Sequence, residues 1–158
     1  MGIEKIVSGG QTGADRAALD FAIARKIPHG GWCPRGRIAE DGKIPERYQL
    51  LETPEAQSQQ RTEWNVRDSD GTVIFSINER LGGGSRETLE FATRLNRPCL
   101  HLFRDGKGKT AAETLGQFIA SNKIAVLNVA GPRESEEPGI GRFVSETLEG
   151  WMFGGVND

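Results

Sequence analysis

Short apolar runs of strand length alternate with helix-length amphipathic segments along the whole chain, and this alternation narrows the possible folds more than any other feature. Residues 3–7 read as a first strand, and residues 14–25 as a helix with Ala18, Leu19, Phe21, Ala22 and Ile23 supplying its apolar surface. A short strand is expected over 31–33 and a polar helix over 54–66. The run GTVIFSI, residues 71–77, is a strand whose β-branched content leaves little choice of type. A helix follows the glycines at 82–84, with Ser85 placed to cap it. Then come a strand over 98–103, a helix over 110–122, a strand over 124–130 and an amphipathic helix over 141–153.

Such alternation implies parallel strands joined by right-handed crossovers, with helices on both faces of the sheet. The expected fold class is therefore α/β, Rossmann-like. At 158 residues the chain is long enough for one real core and short for two, so a single ligand-binding domain over 1–158 is expected, with its core over about 3–153. The stretch PRGRIAEDGKIP, residues 34–45, is rich in Gly, Pro and charge and reads as an excursion over the surface. The GGVND tail is expected to fray.

In an open parallel sheet the loops leaving the C-terminal strand ends share one edge, and ligands bind where strand order reverses. Three unusual loops hold such positions: SGGQTGAD after the first strand, NERLGGGSRET after the third and NVAGPRES after the last. Their glycines let backbone N–H groups approach an anion, and the helix that follows adds its positive end. A lone glycine loop more often serves a tight turn; three on one edge favour a site. The candidate contacts are Gly9, Gly10, Gln11, Thr12, Gly13 and Asp15 from the first loop, Gly83, Gly84, Ser85 and Thr88 from the second, and Gly131 and Arg133 from the third. Arg61 and Asn65 join them from the polar helix. Arg67 and Arg86 also lie near loops or helix starts, where a guanidinium suits phosphate oxygens, although each can equally be a solvated surface residue. Asp15 either supports the helix dipole or meets ligand hydroxyls. Trp32 and Trp64 either pack in the core or stack on a flat ring.

Composition removes several alternatives. The spacing fits neither the dinucleotide fingerprint nor the P-loop, so neither NAD nor ATP with magnesium is implied. A net charge of -2 disfavours nucleic acid. With 36% hydrophobic residues and apolar runs of strand length only, nothing approaches the roughly 20 residues of a membrane span. The opening MGIEKIVSGG has neither the basic flank and apolar run of a signal peptide nor a myristoylation pattern, so a cytoplasmic setting is expected. Cys33 and Cys99 cannot form a disulfide framework, and with His29 and His101 they match no zinc spacing. Cys33, at a strand end near the ligand edge, reads either as a ligand contact or as a buried small apolar residue.

The phrases SGGQTGADRAALDFAI, GWCPRGRIAEDGKIP, RTEWNVRDSDGTVIF, GGGSRETLEFA and LNVAGPRES, in this order, closely resemble the molybdenum cofactor carrier proteins over residues 3 to about 149. That family is placed in a Rossmann-like superfamily with the LONELY GUY phosphoribohydrolases and DprA. The resemblance implies a non-catalytic carrier for the molybdenum cofactor, molybdopterin being a pterin with a terminal phosphate and a dithiolene, with Cys33 the one side chain weighed as a molybdenum contact. It also implies a homo-oligomer, dimer or tetramer, and molybdoenzymes as recipients. The phosphoribohydrolase motif PGGxGTxxE is echoed by GGGSRETLE, which sets Thr88 at its threonine and Glu90 at its glutamate, with Arg61 at the catalytic arginine. The motif's proline is missing, Arg86 and Glu87 intervene, and Thr62 replaces the lysine beside the arginine. Hydrolysis of a nucleoside monophosphate by Arg61 and Glu90, or nucleotide sensing, is the alternative.

Overall fold

The structure is a computed structural model describing residues 2–105 and 108–154. The tail reading lies, beyond Gly154, outside the described residues. In chain order the elements are β1 (Lys5–Val7), α1 (Ala14–Ala24), β2 (His29–Gly30), β3 (Trp32–Cys33), β4 (Ile38–Ala39), β5 (Gly42–Lys43), β6 (Leu51–Glu52), α2 (Ser58–Arg67), β7 (Gly71–Ser76), α3 (Gly83–Arg94), β8 (Cys99–Phe103), α4 (Gly108–Ser121), β9 (Val126–Ala130) and α5 (Ile140–Phe153). The fold is the expected α/β type.

The main sheet has the order β2-β1-β9-β7-β8, and every ladder in it is parallel. From β1 the chain steps outward to β2, crosses to β7, steps outward to β8 and returns to fill the gap with β9. Strand order therefore reverses around β9. The loops leaving β1, β7 and β9 diverge at that point, which is where a parallel sheet leaves a crevice.

Alternate side chains divide the sheet's two faces. Val73, Phe75, Leu127 and Val129 join Phe21 of α1, Leu115 of α4, and Phe143 and Leu148 of α5 in the main core. On the opposite face Val66 of α2 packs with Phe91 and Ala92 of α3, with Cys99 against them. All of β7 is buried, as expected of a strand covered on both faces.

Residues 31–53 depart from expectation. The second strand of the main sheet is His29–Gly30, whereas Trp32–Cys33 leaves it and pairs in parallel with Leu51–Glu52. Gly31, at φ 126, makes the break. Nor is the 34–45 stretch only a surface excursion. Cys33, Ala39, Ile44, Tyr48 and Leu50 form a second core with Leu19 of α1. Arg37 organises it: buried, its guanidinium donates to the carbonyls of Pro45 and Tyr48, both at 2.8 Å, and through Nε to that of Ile44 at 3.1 Å. Bonds to neutral carbonyls satisfy the donors of a cation taken out of water.

Candidate ligand-binding site

The first loop is built around an ion pair. Ser8 Oγ donates to the Val129 carbonyl at 2.9 Å, tying the end of β1 to β9. In the first turn of α1, the buried Asp15 Oδ2 accepts from the Gln11 N–H at 3.2 Å and from Arg61 Nη1 at 3.1 Å. A Cβ on Gly9 would stand 2.0 Å from that Nη1, so glycine is the residue that lets the pair lie against the backbone. Burial pushes the Asp15 carboxyl above its ordinary pKa, and the Arg61 charge and the Gln11 N–H pull it back. Arg61 Nε is buried with no hydrogen-bond partner.

The second loop delivers an uncapped helix start. Gly82 is the N-cap of α3, with no side-chain cap bond, so Ser85 sits within the first turn and does not cap it. The N–H groups that begin a helix have no partner inside it. A Cβ on Gly82, Gly83 or Gly84 would meet nothing within 4 Å. The two buried hydroxyl residues of this turn, Ser85 and Thr88, stand just behind the glycines, and Thr88 Oγ1 donates to the Gly84 carbonyl at 2.9 Å.

The third loop contributes Gly131, Pro132 and Arg133. Arg133 Nη2 lies 3.2 Å from Glu136 Oε2, and its Nε 3.9 Å from Glu40 Oε1. Glu137 Oε1 accepts from the Ile77 N–H at 2.6 Å and joins this loop to the one after β7. Glu40, at the tip of the β4–β5 hairpin, spans the first and third loops. Its carboxylate accepts from the hydroxyls of Thr12 and Ser135, and its N–H donates to Gln11 Oε1 at 2.9 Å. Those hydroxyl bonds hold the Glu40 carboxyl below its ordinary pKa.

Between the loops lies a cavity of about 380 Å³. Of the expected contacts, Gly9, Gln11, Asp15, Arg61, Asn65, Gly83, Gly84, Ser85, Thr88, Gly131 and Arg133 line it. Asn65 is already committed, since its side-chain amide accepts from the Trp32 N–H at 2.8 Å and donates to the Trp32 carbonyl at 2.9 Å.

Other candidates fall outside the lining. A Cβ on Gly10 would point at Leu50 Cδ1, 2.7 Å away, and Ile44 Cδ1, 3.0 Å away, in the second core. Gly13 is the N-cap of α1, packed against the Pro132 carbonyl, and the Thr12 hydroxyl is held by Glu40. Cys33 is sealed in the second core, where burial raises its thiol pKa. Glu90 is exposed on α3 and does not line the cavity. Arg86 is exposed, and Arg67 pairs with Asp68 at 2.7 Å. Trp32 and Trp64 are half-buried and packed edge to face at 4.8 Å, outside the cavity.

The cavity also has lining residues the sequence reading passed over: Ser58, Thr62, Asn128, Glu87, Glu136 and Glu137. A signal for three of them was present. Ser58, Arg61, Thr62 and Asn65 recur at three- and four-residue spacing, which sets a polar stripe on one face of α2. Asn128 likewise interrupts an apolar strand.

No curated protein matches the chain. Among solved structures, the crystal structure of a "putative molybdenum carrier protein" from Syntrophus aciditrophicus is 50% identical, covers 95% of each chain and superposes with a TM-score of 0.93. A second structure, (E)-4-hydroxy-3-methyl-but-2-enyl diphosphate reductase, is 12% identical over 94% of this chain and 59% of its own, with a TM-score of 0.41. The model of the circularly permutated YpsA SLOG family matches residues 6–152, and the chain belongs to that family.

Proposed function

We propose that the protein binds and carries a small phosphate-bearing ligand, most concretely the molybdenum cofactor, without covalent chemistry. The observation that carries this reading is the start of α3. Glycines 83 and 84 cost helix stability, and at Gly84 neither a left-handed φ nor a neighbouring atom calls for glycine. They begin a helix without a side-chain cap and line a cavity at the sheet's switch point, an arrangement suited to a phosphate. A half-identical relative named as a molybdenum carrier supports the choice of cargo.

The lining fits such a cargo in size and in chemistry. About 380 Å³ lies within the roughly 300–1,000 Å³ of small-molecule sites. The first turn of α3 would take the phosphate, Arg133 would approach it from the opposite loop, and the carboxylates would accept from ring N–H groups. The lining residues include no cysteine or histidine, so the molybdenum would keep the cofactor's own dithiolene. Among the described residues no cluster of His, Cys, Asp or Glu could hold a free metal ion. In this reading the chain is one cytoplasmic ligand-binding domain, assembled as a dimer or tetramer, that hands cofactor to molybdoenzymes. Cleavage of a nucleotide by Arg61 and Glu90 has less support, because Glu90 is not at the cavity.

Native mass spectrometry of protein purified without oxygen from molybdate-fed cells tests this. One cofactor mass per chain, with equimolar molybdenum, is expected. Release of free base from nucleoside monophosphates by the wild-type protein would replace the carrier reading with a hydrolase.

A further inference from the structure

We infer that the cavity admits ligands with one phosphate group and rejects di- and triphosphates, and that Glu87 sets this limit. The inference rests on the reading of the cavity as the phosphate site, and it narrows the class of ligand. The ionisable side chains of the lining are Arg61 and Arg133 against Asp15, Glu87, Glu136 and Glu137. Both arginines already carry a carboxylate, Arg61 that of Asp15 at 3.1 Å and Arg133 that of Glu136 at 3.2 Å. Among the described residues no lysine lines the cavity, and no cluster could hold the divalent ion that usually accompanies a polyphosphate.

A single phosphate is still accommodated, because the α3 N–H groups attract it as dipoles and need no net positive charge. Each further phosphate adds negative charge beside carboxylates that have nowhere to go. Glu137 is fixed by the Ile77 N–H at 2.6 Å. Glu87 is half-buried on α3, one turn beyond Gly83 and Gly84, and its carboxylate has neither an ion pair nor a hydrogen bond among the described residues. Among the described carboxylates of the lining it is the one held by no partner, and it stands nearest in sequence to the proposed phosphate seat. Like charges facing each other across a confined space cost affinity, and specificity is set as much by such repulsion as by attraction.

The test is calorimetric titration of the protein with guanosine mono-, di- and triphosphate at pH 7.5 in EDTA. Monophosphate is expected to bind at least about fivefold tighter than diphosphate, and triphosphate weaker still. Glu87→Gln should narrow the mono-to-triphosphate gap by about threefold, and Glu87→Lys should invert the order, in variants whose melting is unchanged. Affinity rising with phosphate count in the wild type, a gap that neither substitution alters, or no binding of the monophosphate by a protein that retains the cofactor overturns the inference and leaves the carrier reading standing. A protein that retains no cofactor and binds no nucleotide removes both.

Discussion

At the scale of single residues the site turns on Asp15 and Arg61, whose pairing the sequence did not disclose because 46 positions separate them. The side chains are 5% and 16% exposed. Removing one partner of a buried pair strands the other, so Asp15→Ala should cost about 3–5 kcal/mol in chemical denaturation. The pH dependence has a definite sign. With its folded pKa raised, Asp15 binds more protons in the folded than in the unfolded state between the two pKa values, so its contribution to stability falls as pH rises through that window. Relative to Asp15→Asn, the wild type should therefore gain stability as pH is lowered from 7 toward the ordinary carboxylate range. A gain in the opposite direction would mean that Arg61 outweighs burial. The arginine was legible as an anion partner; that it comes already paired was not.

At the scale of elements the three glycine loops do different work, although they look alike in sequence. Gly10, at φ 83, is packed over Ile44 and Leu50, so Gly10→Ala should cost about 1–3 kcal/mol and leave the ligand affinity of the folded protein unchanged. Gly84→Ala should do the reverse, raising stability by up to about 1 kcal/mol while weakening ligand binding, because its methyl group enters open space at the cavity. Thermal melts paired with ligand titrations separate the two. The β4–β5 hairpin makes a similar point. Glu40 reads as one charge in a polar loop, yet its carboxylate joins Thr12 to Ser135 across the first and third loops. In Glu40→Ala, amide exchange at Glu134 and Ser135 should speed up, since the Ser135 N–H loses Glu40 and the Glu134 N–H, 3.3 Å from Thr12 Oγ1, loses a fixed acceptor. Unchanged protection there would reduce the hairpin to a passive cover.

At the scale of the molecule, alternating periodicity was enough for the parallel sheet, the order of its helices and the edge where three loops meet, because each is dictated by local pattern and by the handedness of crossovers. What was not legible depends on contacts distant in sequence. Residues 34–45 read as a surface excursion because the core they help to form is assembled by one buried arginine, a residue type that ordinarily marks surface. Cys33 was set on the ligand edge because its strand was assigned to the main sheet, whereas Gly31 diverts it into a second, sealed core. Glu90 was chosen by motif, and the helix turns it outward while Glu87, a turn earlier, lines the cavity. Ligand binding is therefore expected to centre on one place, the uncapped start of α3 above the switch point. Amide chemical shifts recorded while the molybdenum cofactor is added without oxygen test it directly. The account predicts the largest changes at Gly83, Gly84 and Ser85, with smaller ones at Gly9 and Arg133; changes centred elsewhere, with those three amides unmoved, would contradict it.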